Sequence, residues 1–129
     1  MGWTYSAHPI CVAAGVANLE LIDEMDLVTN AREKGADFRA ELAKAVAGHK
    51  NVGDVRGDGM LGAVEFVADK DDRVFFDASQ KIGPQVATAL AASGVIGRAM
   101  PQGDILGFVP PLCLTREEAD IIFRRRRIR

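Results

Sequence analysis

At Gly48 the hydrophobic period of the chain changes, and that change restricts the fold more than any other feature of the sequence. Before it, apolar residues recur at helical spacings; after it, they alternate. Leu27 to Ala47 carries Val28, Ala31, Phe38, Leu42 and Ala45 three, four or seven residues apart, with Gly35 filling the gap, so the spacing predicts an amphipathic helix. Asp26 is its expected cap and Gly48 its stop. Lys34, Arg39, Glu41 and Lys44 fall on the opposite side. Beyond Gly48, Val52 to Arg56 and Met60 to Ala68 read as strands, with Val64 and Phe66 on one face and Glu65 on the other.

The segments on either side extend the pattern. Upstream, His8-Pro9 opens an apolar, alanine-rich stretch running to Ile22. Proline suits a first helical position, where its missing N–H has no partner anyway. This helix is apolar nearly all round and is expected to be buried. Downstream, a charged loop over 69–73 precedes a helix expected from Pro84 to Ala92, ended by Gly94. Val95 to Met100 and Ile105 to Val109 are two more strands, and the short Pro- and Gly-containing link between them predicts a hairpin. Thr115 and Glu118 form a T-x-x-E capping box for a last helix with Ile121, Ile122 and Phe123. The order implies an α+β fold: a small, mostly antiparallel sheet with helices on one face.

Composition removes several classes. With 48% hydrophobic and 26% charged residues the chain reads as globular, neither disordered nor membrane-embedded. No apolar run approaches the roughly 20 residues of a membrane span, and no signal-peptide pattern opens the chain. Cys11 and Cys113 sit among Ile10, Val12, Leu112 and Leu114 and read as buried packing thiols, not a disulfide or metal pair, so a reducing cytoplasm is the expected compartment. The tail from Phe123 to Arg129 carries five arginines, which reads as a cationic helix end favoured by the helix dipole more than as a nucleic-acid contact.

Few motifs offer chemistry. Gly57 to Gly62 satisfies G-x-G-x-x-G, but the residues that follow alternate like a strand, whereas a dinucleotide site needs a helix there. The glycines are expected to let the chain turn or two backbones approach. Met1-Gly2 with Ser6 matches a myristoylation pattern with no basic residues beside it. His8 reads as a hydrogen-bonded residue at the helix start, and neither it nor His49 has a nucleophile beside it in sequence. Glu117 and Glu118 are explained by a first helical turn. No metal-ligand spacing is visible. On residue pattern alone, no catalytic residue is assigned.

Three stretches in one order change this. TYSAHP before an alanine-rich helix, VGDVRGDGMLGAVEFV, and GVIGRAMPQGDILGFVPPLCLT together resemble the C-terminal part of class III aminotransferases. The resemblance runs from Gly2 to about Ile122, and the wording around Arg98 and PPLCLT is most similar to the ω-amino acid and ω-amine:pyruvate transaminases. It implies the small C-terminal domain of the fold type I architecture over 27–129, with 1–26 as an interface segment and helix at the junction with a large domain. It also implies pyridoxal 5'-phosphate (PLP) as cofactor, held in the family by a Schiff-base lysine whose motif Lys34, Lys44, Lys50, Lys70 and Lys81 do not match. By position, Thr4 matches a threonine that reaches the phosphate of the neighbouring subunit's PLP. Arg98 matches a mobile arginine that binds the substrate carboxylate and moves aside for an uncharged amine.

The expectation is a transaminase fragment that transfers an amino group from an amine or amino acid to a keto acid such as pyruvate. It is expected to be inactive alone, and to depend on a large domain of the same or another chain within a homodimer. As a piece of such an enzyme it would be a split subunit, a fragment or a mis-started gene. The competing expectation is a non-catalytic interaction domain or relic that pairs with a large-domain or full-length partner. Neither calls for nucleic acid or membrane.

Overall fold

The computed structural model describes Thr4 and residues 7–124. The elements follow in the expected order: α1 (Pro9–Glu24), α2 (Leu27–Val46), β1 (Val52–Arg56), β2 (Gly62–Phe66), a 3₁₀ turn (Ala78–Gln80), α3 (Ile82–Ala92), β3 (Arg98–Ala99), β4 (Ile105–Phe108) and α4 (Arg116–Arg124). The strands form one antiparallel sheet in the order β1-β2-β4-β3. Helices α2, α3 and α4 contribute to a single core with one face of that sheet. Phe38, Leu42, Val64 and Leu106 lie at its centre, and Phe38 meets the Phe108 ring edge-on with centroids 6.3 Å apart. The α+β fold with helices on one face is borne out.

The glycine run before β2 explains how α2 sits so close. A Cβ at Gly35 would fall on the Gly59 carbonyl oxygen, and one at Gly57 would fall on the Leu61 carbonyl oxygen. Gly62 faces the rings and methyls of α2, with Leu42 Cδ2 3.0 Å and Phe38 Cε1 3.2 Å from where its Cβ would be. Arg39, one turn beyond Gly35, donates to the Gly59 carbonyl. Arg39 therefore turns inward rather than standing on the solvent side. The run leads into a strand, as its alternation requires, and the glycines serve close backbone approach.

Several expectations are corrected. Helix α1 starts at Pro9 as foreseen but buries none of its residues; Ile10 is 75% exposed. A helix that is apolar all round needs cover on several sides, and among the elements packed on it α2 supplies one. Cys11, on this helix, and Cys113, in the turn after the proline pair, are both exposed rather than core. Asp26 adopts a left-handed conformation (φ 46°) and makes no side-chain cap bond, so its carbonyl alone serves α2 by accepting from the Asn30 N–H. The His8 side chain likewise makes no cap bond. Helix α3 begins two residues before Pro84, which the first turn tolerates.

The strand expected over 95–100 shrinks to Arg98–Ala99, because Val95 closes α3 through Leu90 and joins the core. The capping box is as expected. Glu118 accepts from the Thr115 N–H at 2.9 Å, and Thr115 Oγ1 accepts from the Glu118 N–H at 3.2 Å. The myristoylation pattern and the arginines after Arg124 lie outside the described residues, and nothing of the Arg124 side chain is described.

Two glycines separate packing from propensity. Gly35→Ala should destabilise the chain by about 2–4 kcal/mol in urea titrations, because backbone must move to admit the methyl. Gly15→Ala, with open space around it in α1, should stabilise it by roughly 0.5–1 kcal/mol. The bonds from Thr115 hold the Glu118 carboxyl below its ordinary range, the backbone N–H first and the hydroxyl second. A depressed folded value gives stability that is complete above the unfolded value and lost as pH falls through the folded one. Thermal melts of Glu118→Gln should lose that acid-side portion of the parent's pH dependence.

Candidate active-site edge on the sheet

Antiparallel pairing puts directly opposed residues on the same face. The register makes Arg56 opposite Ala63, Ala63 opposite Gly107, and Gly107 opposite Arg98. One line across all four strands therefore reads Arg, Ala, Gly, Arg. The next line carries Asp54, Glu65, Ile105 and Met100. Core residues Val64, Leu106 and Phe108 occupy the opposite face, under the helices. The free face forms a groove of about 720 Å³ lined by Leu61, Ala63, Met100, Ile105 and Val109 among others.

The two arginines of this face differ. Arg56 is paired, with Nη1 2.7 Å from Asp54 Oδ2 and 2.5 Å from Glu65 Oε2. Those two carboxylates hold its guanidinium more firmly protonated than usual, Glu65 first. Arg98 is exposed at the start of the edge strand and takes part in no ion pair or side-chain hydrogen bond among the described residues. A guanidinium left with five open donors suits a carboxylate, which it can meet with two parallel bonds.

Its strand is fixed on both sides. A Cβ at Gly97 would sit 3.1 Å from the Leu106 side chain, and the Met100 N–H donates to the Ile105 carbonyl at 2.9 Å. Asp104, at the end of the loop, accepts from the Gly83 N–H through Oδ1 at 2.9 Å and from the Phe66 N–H through its carbonyl at 2.8 Å. The hairpin that carries Arg98 is thus tied to the start of α3 and to the end of β2.

Thr4 lies in an exposed turn ahead of α1, away from the sheet line in sequence and element. No hydrogen bond or ion pair joins it to Arg98. Tyr5, its neighbour in the motif, lies outside the described residues. No group of three or more metal-ligating side chains occurs among the described residues, and no described helix is long and apolar enough to cross a membrane. Sequence reasoning missed the Asp54–Arg56–Glu65 cluster. Its signal was the alternation that puts Asp54, Arg56 and Glu65 on one face.

The lobe has the fold of a fold type I transaminase segment. It superposes on a transaminase from directed evolution by ancestral reconstruction with a TM-score of 0.91 at 52% identity, over 97% of this chain and 27% of that one. On a thermostable omega transaminase variant from Pseudomonas jessenii the score is 0.85 at 35% identity, over 97% and 27%. Residues 1–126 match the model of the class III aminotransferase family, to which this chain belongs. The diaminobutyrate–2-oxoglutarate transaminase of Halomonas elongata is 51% identical over 124 residues, 96% of this chain and 26% of that protein. The chain spans about a quarter of the length of the curated relatives it matches.

An arginine kept for a ligand should be dispensable for folding. Arg98→Ala should change the unfolding free energy from urea titrations by less than about 0.5 kcal/mol, as expected for a surface change away from packing features.

Proposed function

We propose that the chain is the small-domain part of a class III, PLP-dependent transaminase, and that it works only together with the remainder of such an enzyme. In this reading residues 1–26 form the interface segment and 27–129 the small domain, in a cytoplasmic homodimer. The observation that carries the reading is Arg98, a guanidinium without an ion pair among the described residues, on a strand edge held by Gly97, Met100 and Asp104, in a chain of this family.

The donor set fits the rim of a PLP site and not its floor. A phosphate calls for directed donors, and Thr4 offers an exposed hydroxyl. Bound PLP would serve as the electron sink for amino transfer. Thr4 would hold its phosphate. Arg98 would orient a substrate by its carboxylate, and would leave that position when the substrate is an uncharged amine. The lysine that holds PLP would come from the remainder of the enzyme, so the chain alone would not turn over.

The donor is an amine or amino acid and the acceptor a keto acid. Similarity to omega transaminases supports the ω-amino acid subgroup with pyruvate as acceptor. The Halomonas relative, whose name specifies 2-oxoglutarate, favours a dicarboxylic acceptor as the second possibility.

The test combines the pure chain with PLP and amine–keto acid pairs, with and without the complementary segment of a longer relative. No transfer by the chain alone and transfer by the mixture is the expected result. Within the mixture, Arg98→Ala should raise KM for carboxylate substrates about 10- to 100-fold and spare amines that lack a carboxylate. Transfer by the chain alone, or an Arg98→Ala effect equal for both substrate types, would overturn the reading.

A further inference from the structure

Helix α3 begins without a cap of its own. Lys81, the residue ahead of it, is left-handed (φ 48°) and makes no side-chain cap bond, and the first turn holds no acid. The first turn of a helix leaves N–H groups with no partner inside the helix, and Pro84 removes one of them by having none. The Gly83 N–H remains, on a buried residue. Asp104 supplies its acceptor from 21 residues further along the chain, with Oδ1 2.9 Å away. The hairpin between β3 and β4 therefore caps α3, and the helix dipole favours a carboxylate in that place.

The same residue holds the hairpin at a second point. Its carbonyl accepts from the Phe66 N–H at 2.8 Å, at the end of β2. Its neighbours in the loop, Pro101, Gln102 and Gly103, are all exposed, and Gly103 is left-handed (φ 69°). Strand β3 is two residues long, and the Met100 bond to Ile105 extends its pairing with β4 by one step. At the far end of α3 the Val95 N–H closes on the Leu90 carbonyl at 3.0 Å, and Gly97 leads into Arg98. Helix α3, β3 and β4 thus form a closed ring. Core packing through Leu90 and Leu106 fixes the helix and β4, and Asp104 ties down the loop between the two strands.

We propose that Asp104 is a positioning residue: by clipping the hairpin to the first turn of α3 it holds β3 in place, and so sets where the Arg98 guanidinium meets a substrate carboxylate. The inference rests on the transaminase reading and adds to it the residue through which Arg98 is aimed. Asp104 acts through the strand and not on the substrate. A side chain that binds a carboxylate and swings aside for an amine needs a fixed pivot, since drift of its strand would misalign both parallel bonds.

The experiment compares Asp104→Ala, Asp104→Asn and Asp77→Ala in the intact chain, alone and combined with the separately expressed complementary segment of a longer relative. Asparagine keeps an oxygen to accept from Gly83; alanine removes it. Asp77 makes the same kind of bond, to the Ser79 N–H at 2.8 Å, in the 3₁₀ turn rather than the hairpin. Circular dichroism and a urea melt establish that each variant folds, and Asp104→Glu, which displaces the acceptor by one methylene, provides a second break in the latch. In the chain alone, hydrogen exchange of the Met100 amide should quicken about fivefold or more in Asp104→Ala, and stay near the parent rate in Asp104→Asn and Asp77→Ala. In the mixture, Asp104→Ala should lower the kcat/KM preference for a carboxylate-bearing donor over an amine without one by about 3- to 10-fold, through KM and not kcat. Asp104→Asn should restore most of it. In an Arg98→Ala background Asp104→Ala should change that preference no further, because its route through Arg98 is gone. An unchanged Met100 rate in Asp104→Ala, an equal effect of Asp77→Ala, or a loss of preference that persists without Arg98 would overturn the proposal. No transfer by any mixture defeats the transaminase reading instead, and the Met100 rate then decides the latch by itself.

Discussion

The contact on which the rest of the lobe depends is the seating of α2 against the turn between β1 and β2. Gly35 lets the α2 backbone meet the Gly59 carbonyl where any side chain on the helix would collide, and Arg39 locks the contact by donating to that same carbonyl. One turn further along the helix, Phe38 and Leu42 lie over Gly62, the first residue of β2. That placement fixes which face of β2 is inward. Because side chains alternate along a strand, it also fixes the register of β4 and β3 and hence the side on which Arg98 emerges.

Much of this was legible in the sequence for a definable reason. The switch of period at Gly48, the T-x-x-E box and the Pro–Gly hairpin link are local signals, and the structure honours each. The G-x-G-x-x-G run was readable as a strand approach because the alternation of Val64, Glu65 and Phe66 is incompatible with a helix. The misses arose where tertiary context decides. Cys11 and Cys113 have apolar neighbours in sequence, but their surroundings in space are solvent. Asp26 has the right residue type for a cap, yet the sharp link between α1 and α2 forces it into a left-handed conformation. The strand over 95–100 was too long because Val95 is drawn into the core.

The candidate site was legible unevenly. Arg98 is marked in the sequence through resemblance, and the structure adds that it is exposed, without an ion pair or side-chain hydrogen bond among the described residues, and borne on a tethered hairpin. Thr4 was reached the same way, and stands on a separate element. The Asp54–Arg56–Glu65 cluster needed the register, since the pairing that brings Asp54 opposite Glu65 joins residues well apart in sequence.

Two surfaces look unfinished by the standard of a self-contained domain: α1, whose Ile10, Val12, Val16 and Leu19 stand exposed, and the helix-free sheet face. Both are expected of a lobe completed by more polypeptide, and that completion is the central claim. Hydrogen–deuterium exchange on the chain, alone and with the complementary segment, measures it most directly. The account predicts that α1 amides exchange freely in the chain alone, become strongly protected in the mixture, and leave the α2 amides beneath Phe38 and Leu42 unchanged. Strong protection of α1 in the isolated chain, or no change on mixing, would contradict it.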